Sequence, residues 1–250
     1  MKNNDRYVYS MDWGNCEMSS IILNNYREYQ YNLIKNYVGN NILEVGSGDR
    51  KFTAQIAKNK PQLTRILSIE PSAVLFDLYQ NNNNFAENIT FQCIDLFNLD
   101  FKNTGKFDTA FFIHVLEHIE EDKKALDIVC DSIQPGGYVL IQVPALPFLF
   151  SNHDRSVGHY RRYNKKTLKS IVDQEKYTIE KLWYQDPIGI IGSLYYFKHK
   201  KIKLKSKDGI RLVKKQGQIY DKYIIPFERF LEKYIKFPFG LSLTMVLKKN

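Results

Sequence analysis

The stretch NNILEVGSGDRKF, residues 40–52, decides the fold, because an apolar segment runs directly into a turn that carries Gly46 and Gly48. Nucleotide sites at the carboxyl end of a first β-strand commonly begin in this way. A dinucleotide fingerprint of the G-x-G-x-x-G type needs a third glycine at position 51, where the chain has Lys51. Two glycines after a strand are weak evidence alone, so other parts of the chain have to identify the nucleotide.

The bulk composition is typical of a soluble globular protein. The 250 residues are 44% hydrophobic and 25% charged. The N-terminus lacks the apolar run of a signal peptide, and no segment has the roughly 18 uninterrupted apolar residues of a membrane span. We therefore expect a cytoplasmic protein. Cys16, Cys93 and Cys130 are widely separated and predict neither a disulfide framework nor a zinc cluster.

The positive charge is concentrated in one segment. The formal net charge is +9, and residues 198–215 contain nine basic residues and one acid, so this segment alone carries +8. The rest of the chain is nearly neutral, which argues against a nucleic-acid partner. The overlapping stretch YYFKHKKIKLKSK, residues 195–207, combines aromatic residues with lysines. We interpret it as a solvated lysine face and keep peripheral contact with an anionic membrane as the alternative.

Apolar periodicity predicts that helices and strands alternate from about residue 17 to 145. Predicted helices are 17–37, 51–60, 72–80 and 120–134, and an asparagine run at 81–84 predicts a solvated loop. Predicted strands are 41–45, 64–70, 89–96, 107–116, 137–145, 178–185 and 241–249. This order predicts an α/β, doubly wound sheet with ligands at the carboxyl ends of its strands. The last strand is predicted to be an antiparallel sheet edge, with the preceding insertion over the active-site face.

Three acids mark the ends of the first three strands: Glu44, Glu70 and Asp95. The carboxyl ends of parallel strands meet at one edge, so these acids should line one crevice. Glu70 can accept both ribose hydroxyls of a nucleoside, and Asp95 can accept from an adenine amine. Glu44 favours a cationic ligand, which S-adenosylmethionine is at its ammonium and sulfonium groups, whereas the pyrophosphate of NAD has the wrong sign.

The ordered motifs resemble those of class I S-adenosylmethionine-dependent methyltransferases. EVGSGDR, residues 44–50, matches their E-x-G-x-G-x-G turn except at Arg50, and SIEPS, CIDL, FDTAFFIHVLEHI and IQPGGYVLIQVP match the later strand-end motifs. The resemblance implies a Rossmann-like seven-stranded sheet with an antiparallel last strand. To this sheet the residue pattern adds an N-terminal helical cap and a helical basic insertion before the last strand. The cofactor-binding residues assigned from these motifs are Glu44, Gly46, Ser47, Gly48, Arg50, Glu70, Pro71, Ser72, Asp95, Leu96 and His114.

The domain organisation that follows is one methyltransferase domain. Its parts are an N-terminal flap and helix (1–38), the cofactor-binding core (39–145), acceptor-side loops with the insertion (146–237) and the final strand (238–250). The expected product of the cofactor is S-adenosylhomocysteine. The oligomeric state and the choice between oxygen and nitrogen as acceptor stay open at this point.

Two later stretches suggest the acceptor. HVLEHI, together with HDRSVGHYRRYNKKTLKSIV at 153–172, resembles a branch of small bacterial methyltransferases associated with capsule and other surface-polysaccharide biosynthesis. Guanidinium groups match phosphate or carboxylate, so we expect a small phosphorylated or nucleotide-activated acceptor. Assigned acceptor-binding residues are His153, Arg155, His159, Tyr160, Arg161 and Arg162; candidate general bases are His114, His153 and His159.

A metal site and two other functions are the alternatives that the sequence leaves open. His114, Glu117 and His118 have a spacing that can face one metal ion, and the ubiquinone-pathway O-methyltransferases that resemble this chain use acids nearby for a divalent ion. The same spacing is common in uninvolved helical residues, so we predict no metal. A nucleic-acid methyltransferase is disfavoured because the fourth strand ends in IHVLEH and lacks an N-P-P-Y string. A non-catalytic cofactor-binding partner subunit is the other alternative.

Overall fold

The computed structural model describes residues 24–80, 85–195, 215–232 and 234–250. The predictions for the N-terminal flap, the asparagine run and most of the basic segment lie outside the described residues. Within the described part of the chain, no helix combines the length and the apolar character that crossing a membrane requires.

Seven strands form one sheet: β1 (Asn41–Val45), β2 (Arg65–Ile69), β3 (Ile89–Gln92), β4 (Phe107–Ile113), β5 (Ile133–Pro144), β6 (Tyr177–Gln185) and β7 (Ser242–Lys249). Their order is β3-β2-β1-β4-β5-β7-β6. The first five strands are parallel to one another, and β7 is antiparallel to both β5 and β6. The Rossmann-like sheet predicted from the sequence is confirmed.

The helices that the structure describes are α1 (Asn24–Ile34), α2 (Lys51–Asn59), α3 (Ala73–Tyr79), α4 (Phe101–Thr104), α5 (Asp122–Ser132), α6 (Asn152–Ser156), α7 (Lys165–Ser170), α8 (Gly189–Ser193) and α9 (Ile225–Leu231). A helical run over 215–231 contains the π-helical segment Tyr220–Ile224 and continues into α9. The predicted N-terminal helix and the helical insertion are therefore present where the chain is described.

Helices cover both faces of the sheet. Neighbouring residues of a strand point to opposite sides, so one strand can contribute side chains to the apolar cluster on either face. Ile42 of β1 packs in one apolar cluster with Ile34 of α1 and Ile56 of α2. Leu43, the next residue, packs in the other cluster with Leu126 of α5. Strands covered on two faces read as continuous apolar runs, which is the pattern of ILEV and FFI in the sequence.

Three predicted boundaries differ from the structure. The closing strand β7 is not a sheet edge: it lies between β5 and β6, and its residues 242–247 are buried on both faces. A run as apolar as SLTMVL is stable when both of its faces are buried, and the strand at this edge of the sheet is β6. Strand β3 ends at Gln92, four residues early, and helix α5 ends at Ser132 because Ile133 already pairs with Phe107 of β4.

The turn after β1 explains how Arg50 replaces a glycine. Its backbone is left-handed, with φ of 58°, which is the conformation that favours glycine at this position. The side chain is only 4% exposed. Its guanidinium carbon lies 4.2 Å from the centroid of the Phe91 ring and 5.0 Å from that of Phe76, and Nη2 donates to the Phe76 carbonyl at 3.2 Å. Arg50 therefore stabilises the turn through packing against α3 and β3.

Buried acids fix the helix over 215–231 at the carboxyl edge of the sheet. Asp186 follows β6, and the Tyr220 hydroxyl donates its one hydrogen to Asp186 while it also lies 3.2 Å from Glu228 Oε2. Glu228 also accepts from the Ile188 amide at 2.7 Å. Burial, together with the charge of Glu228, raises the pKa of Asp186 well above its usual range. Burial raises the pKa of Glu228 itself to about 7.

These raised pKa values predict a loss of stability as the pH rises. Glu228 has a usual pKa of 4.5 and a folded-state pKa of about 7. The stabilisation that Glu228 contributes is therefore fully present below pH ~4.5 and is lost as the pH rises through ~7. The free energy of unfolding falls by up to about 1.4 kcal/mol per pH unit for one proton. Urea unfolding at about pH 5.5 and about pH 8 should show a smaller loss in E228Q than in the unmodified chain. The exposed control E87Q should keep the full loss; an unchanged loss in E228Q would contradict the assignment.

Arg50 yields a second prediction, which separates side-chain packing from backbone strain. R50A removes the contacts with Phe76 and Phe91 and keeps a Cβ in the left-handed conformation, so it should lower the free energy of unfolding by about 1–2 kcal/mol. R50G removes the same contacts but relieves the strain, and should be about 0.5–1 kcal/mol more stable than R50A after the cost in backbone entropy. Chemical denaturation measures both, and R50A as stable as R50G would contradict the strain argument.

Candidate functional site

The strand order places a crevice between β1 and β4, where the connections of the sheet lead outward in opposite directions. Open α/β sheets bind ligands outside the carboxyl ends of their strands at such a point. The turn 46–50 follows β1, Glu70 follows β2 and His114 follows β4. The first turn needs glycine at its start, since Gly46 has φ of 82° and a Cβ there would lie 2.6 Å from Val115 Cγ2.

Glu70 holds the turn in place. Its two carboxylate oxygens accept the backbone N–H groups of Gly48 at 2.9 Å and Ser72 at 3.0 Å. The Ile69 carbonyl accepts from Gly46 and Ser47, which ties the same turn to the end of β2. Burial raises the pKa of Glu70. A carboxylate has about four acceptor positions, so two positions stay available for ligand hydroxyl groups.

Glu44 lies behind the turn and is buried. Thr53 and Ser68 donate hydroxyl hydrogen bonds to its Oε2, at 2.5 Å and 2.6 Å. Burial raises the pKa of Glu44 to about 7 in spite of these two bonds. Near neutral pH the carboxyl group is therefore only partly ionised, and its attraction for a cationic ligand is weaker than the sequence argument assumed. Sequence reasoning missed both hydroxyl partners, because they come from α2 and β2.

The other residues assigned to the cofactor have mixed surroundings. Asp95 is partly exposed, and its Oδ1 accepts the Phe97 amide at 2.8 Å. Leu96 is buried in the apolar cluster that also contains α5, so its side chain is part of the core. Ser72 begins α3 and accepts the Leu75 amide at 3.3 Å. Pro71 is half-buried beside it. Their cofactor contacts stay predictions.

His114 and Glu117 meet at the carboxyl end of β4. His114 has φ of 55°, and its Nδ1 lies 3.5 Å from Glu117 Oε1. Glu117 is fully buried, and neither carboxylate oxygen has a hydrogen-bond partner among the described residues. Burial opposes ionisation of Glu117, but the contact with His114 and the nearby His159 outweigh it, so the pKa of Glu117 lies below its usual value. A buried carboxylate that stays charged needs cations or polar hydrogens around it.

The structure brings together the two histidine clusters that the sequence placed after different strands. His159 Nε2 lies 4.0 Å from Glu117 Oε1, and the rings of His118 and His159 have centroids 4.6 Å apart. One ligand atom from each of Glu117, His118 and His159 lies within 4.8 Å of the others, so this trio can hold a metal ion. Burial lowers the pKa of His118 to about 4, which keeps it neutral as a ligand must be. His159 replaces His114 in the expected trio, and the absence of a metal stays a prediction.

Asp154, which sequence reasoning missed, organises the loop after β5. It is buried, and its Oδ1 lies 3.0 Å from His159 Nδ1 and accepts from Arg162 Nε at 2.6 Å. Its Oδ2 accepts the Ser151 amide at 2.9 Å. Burial opposes the charge of Asp154, but the bonds from His159 and Arg162 hold its pKa far below the usual value. The signal in the sequence was the spacing S-x-x-D at 151–154, which is a capping box.

The three arginines assigned to the acceptor have different partners. Arg161 pairs with Asp122 at 2.6 Å and donates to two backbone carbonyls in the 119–120 turn. Arg162 is 6% exposed and binds Asp154. Arg155 is exposed and donates to Asn152 at 3.1 Å. Arg161 and Arg162 thus hold the loop onto the core, and Arg155 is the arginine of this set that faces solvent.

His153 and Tyr160 complete the set of predicted site residues. Burial lowers the pKa of His153 to about 4. Tyr160 is half-buried, and its amide donates to the Glu117 carbonyl at 2.8 Å, which brings the loop to the end of β4. The catalytic and acceptor-binding roles of these residues stay predictions.

Solved structures have the same fold as this chain. One is the N-methyltransferase NodS from Bradyrhizobium japonicum in complex with S-adenosyl-L-homocysteine, which is 13% identical and has a TM-score of 0.54. The superposition covers 99% of this chain and 96% of the NodS chain. Another is the plantazolicin methyltransferase BpumL in complex with a pentazolic analogue and S-adenosylhomocysteine, which is 13% identical and has a TM-score of 0.59. The superposition covers 99% of this chain and 97% of the BpumL chain. At these identities the likeness establishes the fold.

Two curated relatives each match less than half of the chain. Phosphoethanolamine N-methyltransferase 1 from Triticum aestivum is 26% identical over 113 residues, which are 44% of this chain and 22% of that protein. Trans-aconitate 2-methyltransferase from Deinococcus radiodurans is 28% identical over 115 residues, which are 46% and 40%. The matched stretch thus spans less than half of each curated relative.

A family model described as a methyltransferase domain matches residues 23–198. This match covers the strands β1 to β6, the glycine turn, Glu70 and the loop organised by Asp154. Because it spans well over half of the chain, it establishes the family. The chain therefore belongs to the methyltransferase-domain family.

Proposed function

We propose that this protein transfers a methyl group from S-adenosylmethionine to an oxygen or nitrogen of a small anionic acceptor. The observation that carries the proposal is Glu70, whose carboxylate accepts from both Gly48 and Ser72 at the mouth of the crevice. This arrangement leaves acceptor positions for the ribose of a nucleoside next to a turn that a ligand can approach closely. The methyltransferase-domain match supports the same reaction.

The proposed reaction is a displacement at the sulfonium methyl group. A lone pair of the acceptor attacks the methyl carbon, the carbon–sulfur bond breaks, and S-adenosylhomocysteine leaves as a neutral thioether. The protein mainly aligns the reactants and excludes water. The acceptor loses its O–H or N–H proton, and a base is needed only when that proton does not leave unaided. His114, which is partly exposed at the end of β4, and His159, oriented by Asp154, suit this role better than His153, whose pKa of about 4 makes it a weak base.

An anionic acceptor is the part of the proposal that rests on the loop after β5. Arg155 presents a solvent-facing guanidinium, while Arg161 and Arg162 keep that loop in place. Phosphoethanolamine and trans-aconitate, which name the curated relatives, are both small anions. The resemblance of HVLEHI and residues 153–172 to polysaccharide-associated methyltransferases favours a phosphorylated or nucleotide-activated precursor of a capsule or other surface glycan.

Cofactor binding can be tested directly by calorimetric titration of the cofactor-stripped protein with S-adenosylhomocysteine. We expect micromolar or tighter binding, and none of NAD, because no third glycine follows the turn and Glu44 lies behind it. E70Q should weaken binding at least about tenfold, since it removes the charge from the hydrogen bonds to ribose. E87Q, an exposed glutamate away from the crevice, is the matched control and should bind normally. Absent binding of S-adenosylhomocysteine would remove the basis of the proposal.

Anion recognition can be tested with the first acceptor found among phosphorylated sugars, amines and nucleotide-activated precursors. R155A should raise the KM for that acceptor about fivefold or more and leave kcat within about twofold, because a binding contact outside the reacting atoms is lost. K166A, which removes an exposed cation from α7, is the control. R161A should instead lower the melting temperature through the lost pair with Asp122. If R155A leaves both KM and kcat unchanged, the anion contact lies elsewhere.

A further inference from the structure

The helix over 215–231 has an inverted distribution of polarity. Large apolar side chains recur at intervals of four, four, three and four residues and are all exposed: Ile219 (49%), Tyr223 (59%), Phe227 (52%), Phe230 (55%) and Tyr234 (74%). Tyr234 lies just past the last residue of the helix, and Ile235 and Phe239 extend this aromatic face further. Surface helices normally place such a stripe against the core and their charges in solvent. Exposed apolar surface of this extent marks an interaction site.

The opposite side of the same helix is acidic and buried, so the helix cannot rotate to hide its aromatic face. Asp221 accepts the Tyr26 amide at 2.8 Å at the start of α1. Glu228 accepts the Ile188 amide at 2.7 Å, and Glu232 accepts the Tyr29 hydroxyl at 2.7 Å. Rotation would break these bonds and leave the two amides and the Tyr29 hydroxyl without their acceptors. The aromatic face is therefore held outward by the fold.

A basic groove adjoins the aromatic face. Its volume is ≈ 980 Å³, and it runs between α1, β6 and α9. Phe230 and Ile235 belong both to its lining and to the aromatic face. The charged residues of the lining are Lys35, Lys165, Lys181, Arg229, Lys236 and the acid Glu232. Arg229 also pairs with the exposed Glu28 at 3.2 Å, and the remaining lining cations exceed the acid in number.

We propose that the aromatic face and the basic groove dock this protein onto the surface of an anionic lipid bilayer. Aromatic and apolar side chains enter the boundary between headgroups and acyl chains, while lysine and arginine attract lipid phosphates. The positive charge of the chain favours an anionic bilayer as the partner of this surface. Residues 198–215, which lead into the helix in the sequence, carry a net +8. A second copy of the chain would oppose one basic groove to another, and an anionic bilayer complements it.

The helix that carries the aromatic face is held at the carboxyl end of β6, because Glu228 accepts the Ile188 amide just after that strand, which runs in the direction of β5. This inference goes beyond the proposed reaction and can be tested without the acceptor.

The test is flotation of the full chain with vesicles of phosphatidylcholine, with or without about 30% phosphatidylglycerol, at about 50 mM and about 500 mM salt. We expect binding to the anionic vesicles at low salt, at least about tenfold tighter than to the zwitterionic vesicles, and weaker at high salt. Y223S/F227S should weaken that binding at least about tenfold. V74S/L78S, which alters two exposed apolar residues of α3 with the same spacing, should bind within about twofold of the unmodified chain.

A second readout does not depend on losing affinity. F227W should show quenching by brominated lipids in anionic vesicles, because the residue is expected to enter the headgroup boundary. Absence of flotation with anionic vesicles at low salt, unchanged binding of Y223S/F227S, or absence of quenching would each overturn the proposal. Sedimentation analysis that finds a dimer disrupted by Y223S/F227S, without vesicle binding, would assign the face to a second copy instead.

Discussion

The bridge that the Glu70 carboxylate makes between two backbone amides is the interaction on which the crevice depends. It joins the turn after β1, through Gly48, to the turn after β2, through Ser72, so one buried side chain sets the spacing of two neighbouring loops. Charge-assisted bonds of this type are short and directional. The same group is then available to a ligand, which means that a nucleoside meets a carboxylate already positioned by the protein. Gly46 supports this geometry, because a side chain there would overlap Val115.

Local sequence signals predicted the parts of the site that belong to one strand and its following turn. The left-handed backbone at Arg50 was not predicted, although the motif that the chain resembles has glycine at that position. The glycines and Glu70 could be read from short stretches, since each lies within a few residues of the end of its strand. The direction of the Arg50 side chain could not, because Phe76 and Phe91 come from later parts of the chain. The same reason applies to β7: its apolar run indicated a strand, but only its long-range pairing shows that it lies inside the sheet.

The second half of the site shows a different limit of sequence reasoning. A dense group of arginines and histidines at 153–162 suggested ligand binding, yet much of it satisfies charges within the protein. Asp154 forms an ion pair with Arg162 and contacts His159, and Asp122 forms an ion pair with Arg161. Composition gives the number of cations in a segment, but the partner of each cation depends on the fold. The carboxylate that gathers the histidines, Glu117, was visible in the sequence only as part of a helical spacing.

Polarity along the last helix follows from the same competition between internal and external partners. Asp221 and Glu228 are buried because backbone amides of α1 and of the segment after β6 need acceptors, and that requirement leaves Phe227 and its neighbours on the outside. Because the acids of this helix point inward, its aromatic rings and the lysines of the adjoining groove face outward. The acidic interior contacts and the aromatic exterior beside a basic groove are thus two consequences of one orientation of the helix.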